Sequence, residues 1–125
     1  MNGNPVAWFE IYVNDLDRAR QFYESVFQST LQQLNAPFPG IELWGFPAER
    51  SSYGASGALV KMEGFAAGGN STIVYFSCED CAVEEARVAE AGGQVQKPKM
   101  PIGEYGFISL VLDTEGNMIG LHSMR

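Results

Sequence analysis

The sequence predicts an α+β fold made of two strand-helix-strand-strand-strand modules. Three observations carry that prediction. The pattern of strand-like and helix-like segments runs through this order once and restarts after Phe65–Asn70, the stretch FAAGGN. Asp15 and Asp80 stand 65 positions apart, each at a strand-to-helix junction where an aspartate can cap the helix. The two helical segments are each followed by short strand-like hairpins, which favours segregated helices on mostly antiparallel strands over a doubly wound parallel sheet. The chain reads as one domain over residues 1–125, with module one at about 1–64 and module two at about 70–125.

The elements follow in order. VAWFEIYV, Val6 to Val13, alternates between uniformly apolar Phe9, Ile11 and Val13 and the mixed set Trp8, Glu10 and Tyr12. That period of two describes a strand with one face on a core. DLDRARQFYESVF predicts a helix with Asp15 as N-cap and Leu16, Ala19, Phe22, Tyr23, Val26 and Phe27 on one stripe. STLQQL, IELWGF and GALVKM read as strands, separated by the turn-rich NAPFPG and PAERSSYGASG. In the second half STIVYFSC reads as a strand and EDCAVEEARVAEAGG as a helix stopped at Gly92 and Gly93. QVQKPKM, FISLVLD and MIGLHSM supply three further strands, the last preceded by the turn DTEGN.

Composition narrows the function. A chain of 125 residues with 46% hydrophobic content can bury a core without disulfides or a structural metal. The net charge is −7 and Lys and Arg are not clustered, which disfavours nucleic acid and anionic membrane surfaces as partners. Acidity favours cationic small molecules instead. The N-terminal residues lack a basic region followed by an apolar run, and no apolar run is long enough to span a bilayer, so a cytoplasmic location is expected. Cys78 and Cys81 form a C-x-x-C, but Glu79, Asp80, Glu84 and Glu85 oppose a thiolate there, and strand parity turns Cys78 inward. Small core residues are therefore expected, not a redox or zinc pair. No phosphate-binding loop, dinucleotide fingerprint or serine-nucleophile motif is present in the sequence.

VNDLDRARQFYESVFQ resembles the first-module signature of the vicinal oxygen chelate superfamily, which includes glyoxalase I, bleomycin-resistance proteins and extradiol dioxygenases. AEAGGQV resembles the end of that family's second helix, and DTEGNMIGLHS its closing hairpin. The resemblance implies paired βαβββ modules whose mixed sheets form a cup with the helices outside. It also implies a homodimer and a site inside the cup. In metal-dependent members a divalent ion is held by His, Glu or Gln on cup-facing strands and stabilises charge on two neighbouring substrate oxygens. Carried onto this sequence, the ligand positions fall at Trp8, Ile73 and Gly120, with a fourth inside GASGALVKM, which holds no His, Asp or Glu. The chain has one His, whereas catalytic sites normally use about three protein ligands. No cofactor is expected; a divalent metal is the disfavoured alternative.

Strand parity proposes what lines the cup. If Phe9, Ile11 and Val13 face the helix, then Trp8, Glu10 and Tyr12 face the cup. By the same rule Tyr75 and His122 join them, with Gly120 leaving space. Trp44 is a further candidate for the cup or an interface, and Glu104, with Tyr105, for a loop closing over it. Each has a plainer reading: Trp8 and Tyr75 as core or interface aromatics, Glu10 and Glu104 as solvated residues, His122 as a structural residue. The sharper reading couples Glu10 with His122 as acid and base, because a carboxylate orients an imidazole and raises its pKa. The leading functional expectation is a small-molecule-binding protein of glyoxalase/bleomycin-resistance type that lacks the usual metal site and takes a partly aromatic or cationic ligand. The alternatives are a metal-dependent lyase, isomerase or dioxygenase with a non-standard ligand set, and a dimeric interaction or regulatory module.

Overall fold

The computed structural model describes Asn4 and residues 6–125, so part of the N-terminal stretch read above for a leader lies outside the described residues. Module one runs β1 (Phe9–Tyr12), α1 (Leu16–Phe27), β2 (Gln32–Leu34), β3 (Ile41–Gly45) and β4 (Gly57–Met62). Module two runs β5 (Tyr75–Ser77), α2 (Cys81–Val88), β6 (Gln94–Pro101), a 3-10 turn (Gly103–Tyr105), β7 (Phe107–Leu112) and β8 (Met118–Ser123). The α+β class and the repeated order are as the sequence predicts. β1 and β5 are shorter than their apolar runs. Each is an edge strand, and each pairs along one side only, β1 with Gly57–Val60 and β5 with Gly120–His122.

Both modules form a four-stranded mixed sheet with the same connectivity, β1-β4-β3-β2 and β5-β8-β7-β6. In each, the first and last strands of the module pair in parallel and the rest are antiparallel. No strand pairing joins the two sheets among the described residues. Their edges meet through side chains, with Phe9 of β1 edge-to-face on Phe76 of β5 at 5.9 Å between ring centres.

The helices begin where the aspartates stand. Asp15 accepts the Arg18 N–H and Asp80 the Ala82 N–H, each bond satisfying a donor that the first helical turn leaves free. α1 ends at Gln28 in a left-handed conformation (φ 51°), its N–H returned to the Glu24 carbonyl. α2 stops at Val88, earlier than the sequence suggests, and the Gly93 N–H closes back on the Val88 carbonyl.

One core serves both modules. Leu16, Ala19, Phe22, Tyr23 and Val26 of α1 are buried with Ile11, Val13 and Leu59 of their own module and with Cys81, Val88, Val111, Ile119 and Leu121 of the other. Full burial of each large apolar side chain contributes about 1.5–3 kcal/mol. The opposite face of the first sheet carries a smaller cluster, Ile41, Leu43, Ala58 and Val60, with Tyr12 and Met62 against it.

The DTEGN turn adds a polar clasp between the modules. Glu115 accepts the backbone N–H groups of Asn14 and Asp15 at 3.0 and 2.8 Å and both arms of the Arg18 guanidinium at 2.6 and 3.0 Å. Asn117 donates to the Tyr12 carbonyl and accepts from the Gly68 N–H. A turn of module two therefore fixes the end of β1, the start of α1 and the linker.

Candidate functional site

Residues two apart on extended backbone share a face, and this brings Trp8, just before β1, together with Glu10 and Tyr12 of β1. The Trp8 indole N–H donates to Glu10 Oε2 at 3.3 Å and the Tyr12 hydroxyl to Oε1 at 3.0 Å. Burial, and then the Glu10 carboxylate beside it, raise the Tyr12 phenol above its ordinary value, so it stays a donor at neutral pH. The Tyr12 ring stacks on Phe65 of the linker, 5.6 Å between centres. Glu10, Tyr12 and Phe65 line a cleft of about 480 Å³ with Thr72, Asn117 and Met118.

The matching face of module two is built by β5 and β8. Tyr75 stands opposite Gly120 and lays its ring over it; a Cβ added at Gly120 would run into that ring. The space that Gly120 leaves is thus taken by Tyr75. His122 stands opposite Ser77, with Nε2 2.7 Å from the Tyr105 carbonyl oxygen. A carbonyl only accepts, so Nε2 carries the hydrogen of that bond. Tyr75, Ser77 and His122 border a cleft of about 600 Å³ with Phe9, Tyr53 and Ser56. Trp8, Ile73 and Tyr75 border another of about 700 Å³. These two share Phe9, Tyr53, Val74 and Tyr75 and form one groove along the facing edges of β1 and β5.

The expected wall is therefore divided. Trp8, Glu10 and Tyr12 are hydrogen-bonded to one another, and Tyr75 packs on Gly120. Glu10 and His122 line different clefts and engage different partners, and no hydrogen bond joins them. Trp44 lies on the helix-facing side of its sheet, opposite Leu59, with the Arg20 guanidinium 4.2 Å above its ring. Its alternate neighbours Leu43 and Gly45 take the other face, so the parity of β3 turns Trp44 away from Tyr12. Glu104 is exposed on the 3-10 turn, which His122 ties to β8 through Tyr105. Tyr53 and Phe65 were not singled out from sequence; each is an aromatic in a polar, glycine-rich loop, and each is exposed, Tyr53 at 93% and Phe65 at 54%.

The strand registers complete the comparison of metal-ligand positions. Glu10 pairs with Ala58 and Tyr75 with Gly120. Glu10 and Tyr75 occupy matching places, each five residues before its helix-capping aspartate, so Ala58 is the module-one counterpart of Gly120. Trp8 and Ile73 match in the same way. An indole N–H donates and cannot ligate, and Ala, Ile and Gly side chains offer no lone pair. These four positions do not fit a divalent ion. Among the described residues no group of three His, Cys, Asp or Glu side chains converges elsewhere. Burial, aided by Glu84, pushes the Cys78 thiol up to about 12, and Cys81 is fully buried. The C-x-x-C thus holds one partly buried thiol that stays protonated and one that is inaccessible. No helix among the described residues is long and apolar enough to cross a membrane.

No curated protein sequence matches the chain. Solved structures do. Glyoxalase I from Zea mays superposes with a TM-score of 0.74 at 18% identity over 96% of this chain, which spans 46% of the maize enzyme's length. TnmS3, an antibiotic binding protein from Streptomyces sp. CB03234, gives 0.72 at 23% identity over 98% of both chains. A glyoxalase-related enzyme from Fulvimarina pelagi gives 0.67 at 19% identity, over 94% of this chain and 86% of that one. At such identities the likeness is one of fold. The family profile described as Glyoxalase/Bleomycin resistance protein/Dioxygenase superfamily matches residues 6–121, nearly the whole chain, with its repeated βαβββ order and closing hairpin. The chain belongs to that superfamily.

Proposed function

We propose that this protein binds a small organic molecule in the clefts along β1 and β5, and does so without the metal site used by metal-dependent relatives. The observation that carries this reading is the set Trp8, Ala58, Ile73 and Gly120 at the four ligand positions, with aromatic surface in their place. Exposed Trp8, Tyr53 and Tyr75 around an open groove are what a binding site for an organic ligand requires. The similarity to an antibiotic binding protein of the same length supports sequestration over turnover. The separate engagements of Glu10 and His122 support the same preference, since an acid/base couple needs its members within reach of one substrate. We further take the protein to act as a homodimer, whose second copy would wall the open faces of β1 and β5.

Two measurements test this. Elemental analysis of protein purified without chelator should find no stoichiometric transition metal; a near-equimolar metal would return the protein to the metal-dependent lyase, isomerase or dioxygenase reading. A thermal-shift screen of aromatic compounds should find stabilising ligands, with a gain of about 2.7 kcal/mol at a hundred times the dissociation constant. A flat screen would favour an interaction or regulatory module.

A further inference from the structure

The two clefts beside β1 differ in charge. The part of the groove bordered by Val6, Trp8, Tyr53, Ile73 and Tyr75, away from His122, has no Asp, Glu, Lys, Arg or His among its lining residues. The adjoining cleft has one acidic side chain, Glu10, and no Lys, Arg or His. The two spaces share Thr72 and Val74, and Trp8 of the first donates its hydrogen bond to Glu10 of the second.

Glu10 itself is arranged as a receptor. The Trp8 and Tyr12 hydrogen bonds fix the plane of its carboxylate and use one acceptor position on each oxygen, leaving the others open. It makes no salt bridge within the described chain. Trp8 and Tyr12 meet it edge-on through their N–H and O–H, and Phe65 stacks on the Tyr12 ring. A carboxylate held in place forms its strongest hydrogen bonds with charged donors. The same charge repels phosphate and carboxylate groups.

We propose that Glu10 is the receptor for a protonated amine carried on an aromatic ligand whose ring system lies in the uncharged part of the groove, between Trp8 and Tyr75. This assignment rests on the ligand-binding reading above and names the ligand's chemistry: a planar apolar body with a basic arm.

Isothermal titration of the full chain at pH 7 with 1-naphthylmethylamine and 1-naphthalenemethanol tests it, since the two probes differ in the ammonium group. The amine should bind about tenfold or more tightly than the alcohol, the range expected for a charge-assisted hydrogen bond. In Glu10→Gln the ratio should collapse toward one. A second measurement needs no variant: in the native protein the amine's advantage should shrink as ionic strength rises, because a paired charge near the surface is screened. Equal affinities, an advantage that survives Glu10→Gln, or a salt-independent ratio would each overturn the role of Glu10 while leaving the groove as a ligand site. Failure of both probes to bind at millimolar concentration would overturn the groove as well.

Discussion

The Tyr23 hydroxyl donates to Asp113 Oδ2 across 2.7 Å, with both residues buried. One bond thus ties the middle of α1, in module one, to the hairpin turn of module two. Asp113 is the centre of a larger set: its Oδ1 accepts the backbone N–H groups of Glu115 and Asn117, each at 2.8 Å, and its Oδ2 also takes the Asn117 amide at 3.0 Å. Asn117 and Glu115 then reach across to β1 and α1. The relative placement of the faces carrying Glu10 and Gly120 depends on this clasp.

Removing the centre should cost far more than removing one spoke. Asp113→Ala strands the Tyr23 hydroxyl and two backbone N–H groups in a buried place, and should lower the unfolding free energy by about 3 kcal/mol or more. Tyr23→Phe leaves Asp113 with its other three donors and should cost about 1–2 kcal/mol. Urea unfolding followed by circular dichroism measures both. Equal costs for the two variants would show that the turn is held by its own backbone and not by the aspartate.

Glu115 gives the clasp a pH dependence. Burial by itself would raise its carboxyl, but the Arg18 guanidinium, the Asp15 and Asn14 N–H groups and the Thr114 hydroxyl outweigh that and hold it below the usual carboxylate range. A group whose pKa is depressed on folding contributes stability above its unfolded value, about 4.3, and loses that contribution as pH falls through the folded value. The stability difference between the native protein and Glu115→Gln should therefore be largest near neutrality and shrink as pH falls below about 5. A difference that stays constant down to pH 3 would mean that shape, not charge, carries the interaction.

The cysteines make a sharper negative prediction. Cys81 is fully buried, and Cys78, pushed up to about 12 chiefly by burial, has almost no thiolate at pH 8. Neither should react with a thiol-specific disulfide reagent in the folded protein on the timescale at which both react in urea. Prompt reaction of one thiol in native buffer would reopen the redox reading of the C-x-x-C.

Much of this was legible in the sequence, and what was not has a physical reason. The alternation in VAWFEIYV placed Phe9, Ile11 and Val13 inward and Trp8, Glu10 and Tyr12 on the other face, because strand parity is local geometry. Asp15 and Asp80 declared their helix starts by a local hydrogen bond. Trp44 was legible as an aromatic but not by face: both Leu43 and Trp44 are apolar, so IELWGF carries no clean alternation to orient it. The partners of Glu10 and His122 were out of reach for different reasons. Glu10 bonds its own strand neighbours, a side-chain choice that periodicity does not encode. His122 bonds the Tyr105 carbonyl, a backbone atom that any residue would supply. The DTEGN turn showed its hairpin in sequence but not its clasp, since contacts spanning about a hundred residues leave no local trace.

Gly120 and Tyr75 form the pair that decides how module two presents its open face. Gly120 does not have a positive φ, so glycine is required there for space and not for conformation. Gly120→Ala forces the Tyr75 ring off the strand, and overpacking of this kind costs about 1–3 kcal/mol. Tyr75→Ala removes the obstacle, so the double variant should cost less than the sum of the single ones, with a coupling of about 1 kcal/mol or more. Chemical denaturation of the four proteins measures that cycle. Additive costs would mean that the ring does not rest on Gly120 in solution. The same geometry predicts the result of restoring an acid: Gly120→Glu should displace Tyr75 yet gain no measurable affinity for nickel or zinc by titration calorimetry. One carboxylate beside Trp8, Ala58 and Ile73 remains two ligands short of the usual three.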